Sequence, residues 1–293
     1  MTAPLRAPTL APPDPNTRTP KVKFPRGACD CHSHVFGPQT RYPFLPHAAY
    51  IAPESPTENY VRMLKTIGCE RAVIVQPSVY GTDNSAMLDA LRSGLFQFRG
   101  VAVVRPDITD RELQTYNDAG VRGIRVNLSS ATPGMTLDQA RRMLPRLKAL
   151  GWHIQFFLDL KTMPDAVEKL GALDITIVID HFGRVHAQEG VQGAAFQRLL
   201  QLVRRPNCWA KLIGPYFLSS RRPDFPDVAP LAQAVVAAAP ERVVWGTDWP
   251  HPSSHGAMPN DGDLADMLAA WVPDEAQRRR VLVDNPARLY GFA

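Results

Sequence analysis

The chain is poor in cysteine. Its four thiols, Cys29, Cys31, Cys69 and Cys208, are spread too widely for a disulfide framework. The one close pair, Cys29-x-Cys31, is separated by a single residue and not by the two of thioredoxin-like motifs. These thiols are read as core-packing groups in a reducing environment, so a cytoplasmic location is expected. Long apolar runs are also missing, which excludes a membrane span and a signal peptide in the stretch given. No basic block occurs either. The densest run is Arg278-Arg279-Arg280, which reads as a solvated helix face, so no nucleic-acid partner is expected despite a net charge of +5. That surplus suits a small anionic molecule instead. No side-chain pattern recurs at a period of roughly 20 to 50 residues, which excludes a solenoid.

What is present begins with a proline-rich leader. Pro4, Pro8, Pro12, Pro13, Pro15, Pro20 and Pro25 mark residues 1–26 as an N-terminal arm, extended over the surface or disordered. Residues 27–293 then alternate apolar, β-branched runs with amphipathic stretches. The runs lie at 29–36, 71–77, 99–106, 121–127, 152–159, 175–181, 208–214 and 242–249. The amphipathic stretches lie at 57–68, 84–95, 109–119, 136–150, 162–172, 192–204, 227–239 and 261–284. Eight strand-helix units joined by right-handed crossovers close into a single-domain α/β (β/α)₈ TIM barrel, whose chemistry belongs at the C-terminal strand ends. The segment from Gly37 to about Pro56 is long for a barrel loop and carries Tyr42, Phe44, His47 and Tyr50, which makes it a candidate lid.

The candidate chemistry starts at Cys29-Asp30-Cys31-His32-Ser33-His34. Strand alternation puts Asp30, His32 and His34 on one face, with the two imidazoles about 7 Å apart along the strand, and Cys29 and Cys31 on the other face. That spacing suits a shared metal or two donors aimed at one oxygen. The barrel brings His181, from the end of the sixth strand, and Asp248, from the end of the eighth, to the same place. On the fourth strand Gly123, Arg125 and Asn127 share a face. A guanidinium there requires a carboxylate, supplied either by a ligand or by a structural ion pair. The bland alternative for Asp248 is a turn or capping role before Trp249-Pro250.

These segments together carry a resemblance. Asp30-Cys31-His32-Ser33-His34, Ile179-Asp180-His181-Phe182-Gly183, Trp245-Gly246-Thr247-Asp248-Trp249-Pro250 and the terminal Asn285 to Phe292 resemble the amidohydrolase superfamily over residues 27 to 293. Gln76-Pro77-Ser78-x-Tyr80-Gly81-x-Asp83-Asn84 and the Gly100 to Arg105 strand resemble its 2-pyrone-4,6-dicarboxylate lactonase branch. The resemblance implies hydrolysis of a small carboxylated or sulfonated lactone in aromatic-compound or sugar-acid catabolism. Asp248 acts as general base, and His32, His34 and His181 polarise the carbonyl. It also implies that Arg125, Ser78, Tyr50, Arg184 and Gln76 contact the substrate. Two departures stand out. The loops after strands four and seven, 128–132 and 214–218, lack the arginines of the branch, with Arg221 and Arg222 a few residues on. Phe157 stands where a tyrosine is expected.

Binuclear members of the superfamily carry a bridging lysine after strand four and a histidine after strand five. This sequence has Arg125 and Asn127 at the first place and Gln155, Phe156 and Phe157 at the second, with His153 near the strand's start. No metal cofactor is therefore expected; the alternative is one Zn²⁺ on His32, His34 and Asp248. Other readings stay open: a zinc-dependent non-oxidative decarboxylase of an aromatic or muconic acid, a lactone isomerase, and a binding protein that keeps the barrel without turnover. The expected partner is a small anionic lactone, and the expected state is a monomer or homodimer.

Overall fold

The computed structural model describes residues 7–128, 134–254 and 256–293. Eight parallel strands follow one another around the sheet in chain order. They are β1 (Cys29–Ser33), β2 (Arg71–Val75), β3 (Gln97–Ala102), β4 (Val121–Asn127), β5 (His153–Phe157), β6 (Ile177–Ile179), β7 (Cys208–Leu212) and β8 (Val243–Trp245). Strand β8 meets β1 through a bridge between Ser33 and Trp249, with His34 N–H donating to Trp249 O at 2.7 Å and Asp248 N–H to His32 O at 2.9 Å. The ring of strands is thus closed at the end that holds the candidate residues, as a TIM barrel requires. The connecting helices are α1 (Thr57–Ile67), α2 (Ser85–Arg92), α3 (Asp110–Asp118), α4 (Leu137–Ala149), α5 (Ala166–Gly171), α6 (Ala194–Val203), α7 (Ala229–Ala238) and α8 (Asp261–Trp271). Among the described residues no helix is long and apolar enough to cross a membrane.

Helix starts follow local chemistry. Capping boxes open α3 (Thr109 with Glu112) and α4 (Thr136 with Gln139), each satisfying two donors of the first turn. The stretch expected as one helix over 261–284 divides. Pro273 cannot continue α8, and its neighbour Val272 turns extended, so a second short helix starts at Glu275 behind its Asp274 cap.

Two apolar layers form. Ala72, Ile74, Ile124, Ile154 and Ile179 face the helices, while Val73, Val75, Val101, Val178 and Val244 fill the barrel, where the C-terminal Tyr290 and Phe292 join them. Cys29 and Cys31 belong to that interior layer as free, buried thiols. This overturns the simple alternation expected for β1. The pairing of β1 with β2 slips between Asp30 and Ser33, so a bulge lets Cys31 and its neighbour His32 both turn inward. Asp30 faces outward. Its carboxylate accepts from Thr247 Oγ1 (2.6 Å), Thr247 N–H (3.0 Å), His32 N–H (3.1 Å) and Tyr60 Oη on α1 (3.0 Å), tying β1 to β8 and to the helix layer. Burial raises the Asp30 carboxyl to about 6 against those four bonds.

Residues 7–26 run along the barrel. Thr9 pairs with Ile51, Arg18 N–H reaches Asn260 Oδ1, Val22 N–H reaches Asp266, and Phe24 packs edge-on to Trp245 at 5.2 Å. Residues 1–6 of the arm lie outside the described residues.

Replacing Asp30 with Asn puts an NH₂ group among four donors. Asp30→Asn is expected to lower unfolding stability by about 2–3 kcal/mol, read as a fall in the urea midpoint with an unchanged m-value.

Candidate active site

The loops that follow β6 and β8 do not behave as ordinary strand ends. Strand β6 stops at Ile179, two residues short of the histidine, and His181, Phe182 and Arg184 take left-handed backbone with φ of 48°, 51° and 56°. Strand β8 stops at Trp245, and Asp248 and His251 are left-handed at 65° and 61°. Each such residue costs roughly 1–2 kcal/mol, so the surrounding packing must hold it. The effect is to turn His181 and Asp248 back over the barrel mouth.

There they meet β1. Nε2 of His32 and Nε2 of His34 each lie 3.5 Å from Oδ1 of Asp248, and the His32 ring stands 5.1 Å from both the His34 and the His181 rings. All four side chains are almost completely buried. Nδ1 of His34 is 2.7 Å from the Val75 carbonyl. A carbonyl only accepts, so this nitrogen carries the proton, and in the neutral ring Nε2 is left as an acceptor. With that ring uncharged, Asp248 Oδ1 and His34 Nε2 present two lone pairs to the same space, 3.5 Å apart. The other carboxylate oxygen of Asp248 takes the hydroxyl of Tyr216. Burial alone would raise the Asp248 carboxyl, but His181, His34 and His32 together hold it well below the usual carboxylate range. The imidazoles go the other way. Burial takes His181 down to about 4 against the pull of Asp248 and Asp180, and burial with Lys211 lowers His32. At neutral pH the site holds an ionised Asp248 beside neutral His32 and His181.

A second buried carboxylate lies beneath. Asp180 Oδ2 accepts from Arg125 Nε at 3.1 Å and Gln155 Nε2 at 2.8 Å, while Oδ1 faces His32 Nδ1 at 3.5 Å and Lys211 Nζ at 3.9 Å. Burial would raise Asp180, but the neighbouring His32 and the cations Lys211 and Arg125 outweigh it and keep the group ionised. Burial likewise draws the Lys211 ammonium down to about 8 against the attraction of Asp180.

A cavity of about 50 Å³ opens above, lined by His34, Tyr50, Ser78, Arg125, Asn127, Phe157, His181, Phe217 and Asp248. It has room for a water molecule or two, far less than the few hundred Å³ of a typical ligand pocket. A ring-sized guest therefore requires lining residues to shift, and one of them, Tyr50, belongs to the 37–56 segment. The structure thus brings Asp248, His34, His181, Arg125, Ser78 and Tyr50 to one cavity. His32 sits below its floor. Arg125 ion-pairs with Asp180 through Nε, the structural alternative, and it also lines the cavity, with its guanidinium 4.8 Å from the Phe157 ring.

The structure places Gln76 and Arg184 elsewhere. Gln76 Nε2 donates to the carbonyls of Asp83 (2.6 Å) and Gly81 (3.3 Å), bracing the loop after β2. Arg184 lies over the Phe157 and Phe217 rings at 5.5 Å and is not among the cavity's lining residues. Arg222 donates to Ala257 O at 2.7 Å and, with Arg221, borders a separate surface cleft that shares Phe217 with the cavity. Residues 129–132 of the loop after β4 fall outside the described residues.

The four buried groups can also be judged as metal ligands. Nε2 of His32, Nδ1 of His181 and Oδ1 of Asp248 have no hydrogen-bond partner, and ligand atoms of these three residues lie within 4.8 Å of one another. By donor type such a group fits one Zn²⁺, with His181 in the place where the spacing of β1 suggests His34.

The match to known proteins agrees with this geometry. The amidohydrolase family model aligns with residues 29–292. The chain belongs to the amidohydrolase family. It is 40% identical over 272 residues to 4-sulfomuconolactone hydrolase of Hydrogenophaga intermedia, covering 92% of this chain and 90% of that one. It is 38% identical to 2-pyrone-4,6-dicarboxylate hydrolase of Comamonas testosteroni, covering 94% and 93%. A solved structure from Pseudomonas putida, described as a 2-pyrone-4,6-dicarboxylic acid hydrolase, superposes with a TM-score of 0.79 at 32% identity, covering 92% and 98%.

In this amidohydrolase, sequence reasoning passed over Lys211 and Tyr216 and used Asp180 only as part of a motif. Lys211 had a visible signal, a lone cation inside the apolar β7 at the barrel-facing parity. Tyr216 had none, because it follows the strand in a short turn started by Gly214 and Pro215.

Gly214, at φ +61°, makes room for His181: a Cβ there comes within 2.6 Å of Nδ1. Gly214→Ala is expected to destabilise the fold more than Gly94→Ala, where φ is +68° and the space is open. Gly94→Ala is to cost about 1 kcal/mol and Gly214→Ala about 2–3 kcal/mol, compared by urea denaturation.

Proposed function

We propose that the protein is a lactonase, opening the ring of a small carboxylated or sulfonated lactone. The observation that carries this reading is the pair of facing acceptors, Asp248 Oδ1 and His34 Nε2, at the wall of a cavity that also holds Arg125. Two acceptors so placed hold a water by both of its protons, leaving the oxygen lone pair aimed outward as nucleophile. Both named relatives act on lactones bearing an acidic substituent, which agrees with a guanidinium on the same wall.

In the proposed sequence, Arg125 takes the acidic substituent, with Tyr50 and Ser78 bordering it. Water attacks the lactone carbonyl carbon as Asp248 takes its proton. His181, neutral on the cavity wall, donates to the carbonyl oxygen as it gains negative charge. The tetrahedral intermediate then expels the ring oxygen, which receives the proton held by Asp248, and the products on one open chain are a hydroxyl and a carboxylic acid, which ionises by releasing its proton to solvent. His32 does not line the cavity, and its Nε2 faces Asp248. Its role is to steer that carboxylate and not to touch the substrate.

A Zn²⁺ held by His32, His181 and Asp248, or by His32, His34 and Asp248, would supply Lewis-acid polarisation of the carbonyl. The chain's own groups account for water activation and carbonyl polarisation without it. The orphaned donor set favours one second reading, a zinc-dependent decarboxylase.

The test is hydrolysis of a panel of carboxylated lactones, including 2-pyrone-4,6-dicarboxylate and muconolactones, before and after prolonged chelation. Turnover is expected to survive chelation and to fall about 10³-fold in Asp248→Asn. Loss with the chelator and recovery with Zn²⁺ would instead overturn the metal-independent mechanism and make His32 and Asp248 metal ligands, while zinc-dependent CO₂ release without lactone hydrolysis would favour the decarboxylase reading. Separately, Arg125→Met is expected to raise KM at least about tenfold for a carboxylated lactone while leaving a neutral lactone nearly unaffected. Equal effects on both would remove Arg125 from substrate recognition.

A further inference from the structure

Lys211 is a lysine with no exposed surface in the middle of a barrel, and nothing in the reaction scheme above uses it. It extends from β7 across the interior to β1. Its ammonium donates to the Cys31 carbonyl at 2.8 Å and lies 3.3 Å from Nδ1 of His32. The bulge in β1 makes both contacts available, since it turns Cys31 and His32 to the interior in succession.

In an uncharged His32 ring one nitrogen carries the proton and the other a lone pair. At Nδ1 the choice is between accepting from Lys211 and donating to Asp180 Oδ1 at 3.5 Å. An N–H pointed at an ammonium 3.3 Å away is repelled, and Asp180 Oδ1, which has no hydrogen-bond partner, is farther from Nδ1 at 3.5 Å and has the same ammonium 3.9 Å from it. At Nε2 the neighbour is Asp248 Oδ1, which only accepts, and His34 already faces that oxygen with a lone pair. A lone pair on His32 Nε2 would be a third acceptor directed at one space. Both ends of the ring therefore favour the same form, with the proton on Nε2.

We propose that Lys211 is a positioning residue that holds His32 in the Nε2–H tautomer, so that His32 serves Asp248 as a hydrogen-bond donor and is withheld from metal ligation. The role rests on the reading of the site as one that activates water through Asp248. Without the lysine, His32 is free to donate from Nδ1 to Asp180 and to present Nε2 as a lone pair beside Asp248. The chain would then offer zinc the ligands that Lys211 denies it.

The tautomer is directly readable. In protein labelled with ¹⁵N-histidine, long-range ¹H–¹⁵N correlation is expected to show His32 protonated at Nε2. In Lys211→Met the proton moves to Nδ1, and Zn²⁺ affinity by isothermal titration rises about tenfold or more. Turnover number falls 10- to 100-fold with KM changed little, the usual range for lost outer-shell partners. Lys211→Arg, which keeps an N–H donor, retains the wild-type tautomer. Wild-type His32 protonated at Nδ1 overturns the proposal. So does a folded Lys211→Met that keeps the Nε2–H form and wild-type zinc affinity, whatever its activity. Should Lys211→Met not fold, the wild-type spectrum and Lys211→Arg still decide. An Nε2–H spectrum in a protein that hydrolyses no lactone would leave this assignment standing and remove the lactonase reading alone.

Discussion

The buried carboxylate of Asp180 is the interaction on which the site depends. Arg125 and Lys211 are cations inside a protein barrel, and each would be strongly disfavoured without a counter-charge. Asp180 meets both, at 3.1 Å and 3.9 Å, and takes Gln155 as well. Through Arg125 it fixes a guanidinium at the cavity wall. Through Lys211 it anchors the group that faces His32. Removing this one carboxylate would leave two buried positive charges next to the imidazoles, and the histidines that surround Asp248 would lose their arrangement from below.

Above that layer the site is built from backbone that ordinary residues avoid. His181 and Asp248 are both left-handed, each at the end of a strand that stops early, and Gly214 vacates the space that the His181 ring fills. The strain is held by neighbours whose bonds do not yield: the Asp30 carboxylate between β1 and β8, and the His34 and Asp248 amides that close the ring of strands. In the proposed reaction, preorganisation of this kind would keep acceptors and donors aimed before substrate arrives, so that little reorganisation accompanies the developing negative charge. The small cavity shows the other side of the same tight packing, because admission of a ring requires its lining to move. Tyr50 is next to Ile51, which pairs with Thr9 of the arm, so the proline-rich leader and the 37–56 segment are physically joined.

Much of this was legible in the chain alone. Period-two and period-3.6 patterning located all eight strands and the stretches between them, because a barrel strand is apolar on both faces and a covering helix on one. The convergence of His32, His34, His181 and Asp248 followed from topology once strand order was known. Where alternation was applied to β1 it misplaced Asp30, since a bulge of one residue leaves no mark in the pattern of side chains. Alternation also could not show that Gln76 is drawn into its own loop, or that Arg184 lies over two aromatic rings.

The sequence by itself determined the architecture and the identity of the groups gathered at one end of it, because hydrophobic periodicity and strand order are properties of the chain read locally. Only the tertiary structure decided what those groups do to one another. The Val75 carbonyl that accepts from His34 Nδ1, the Lys211 ammonium that reaches His32 from across the barrel, and the Asp180 carboxylate that holds two cations are contacts between residues 41, 179, 55 and 31 positions apart in the chain. Tautomer and charge state are set by distances of about 3 Å, and no local pattern in the chain encodes such distances.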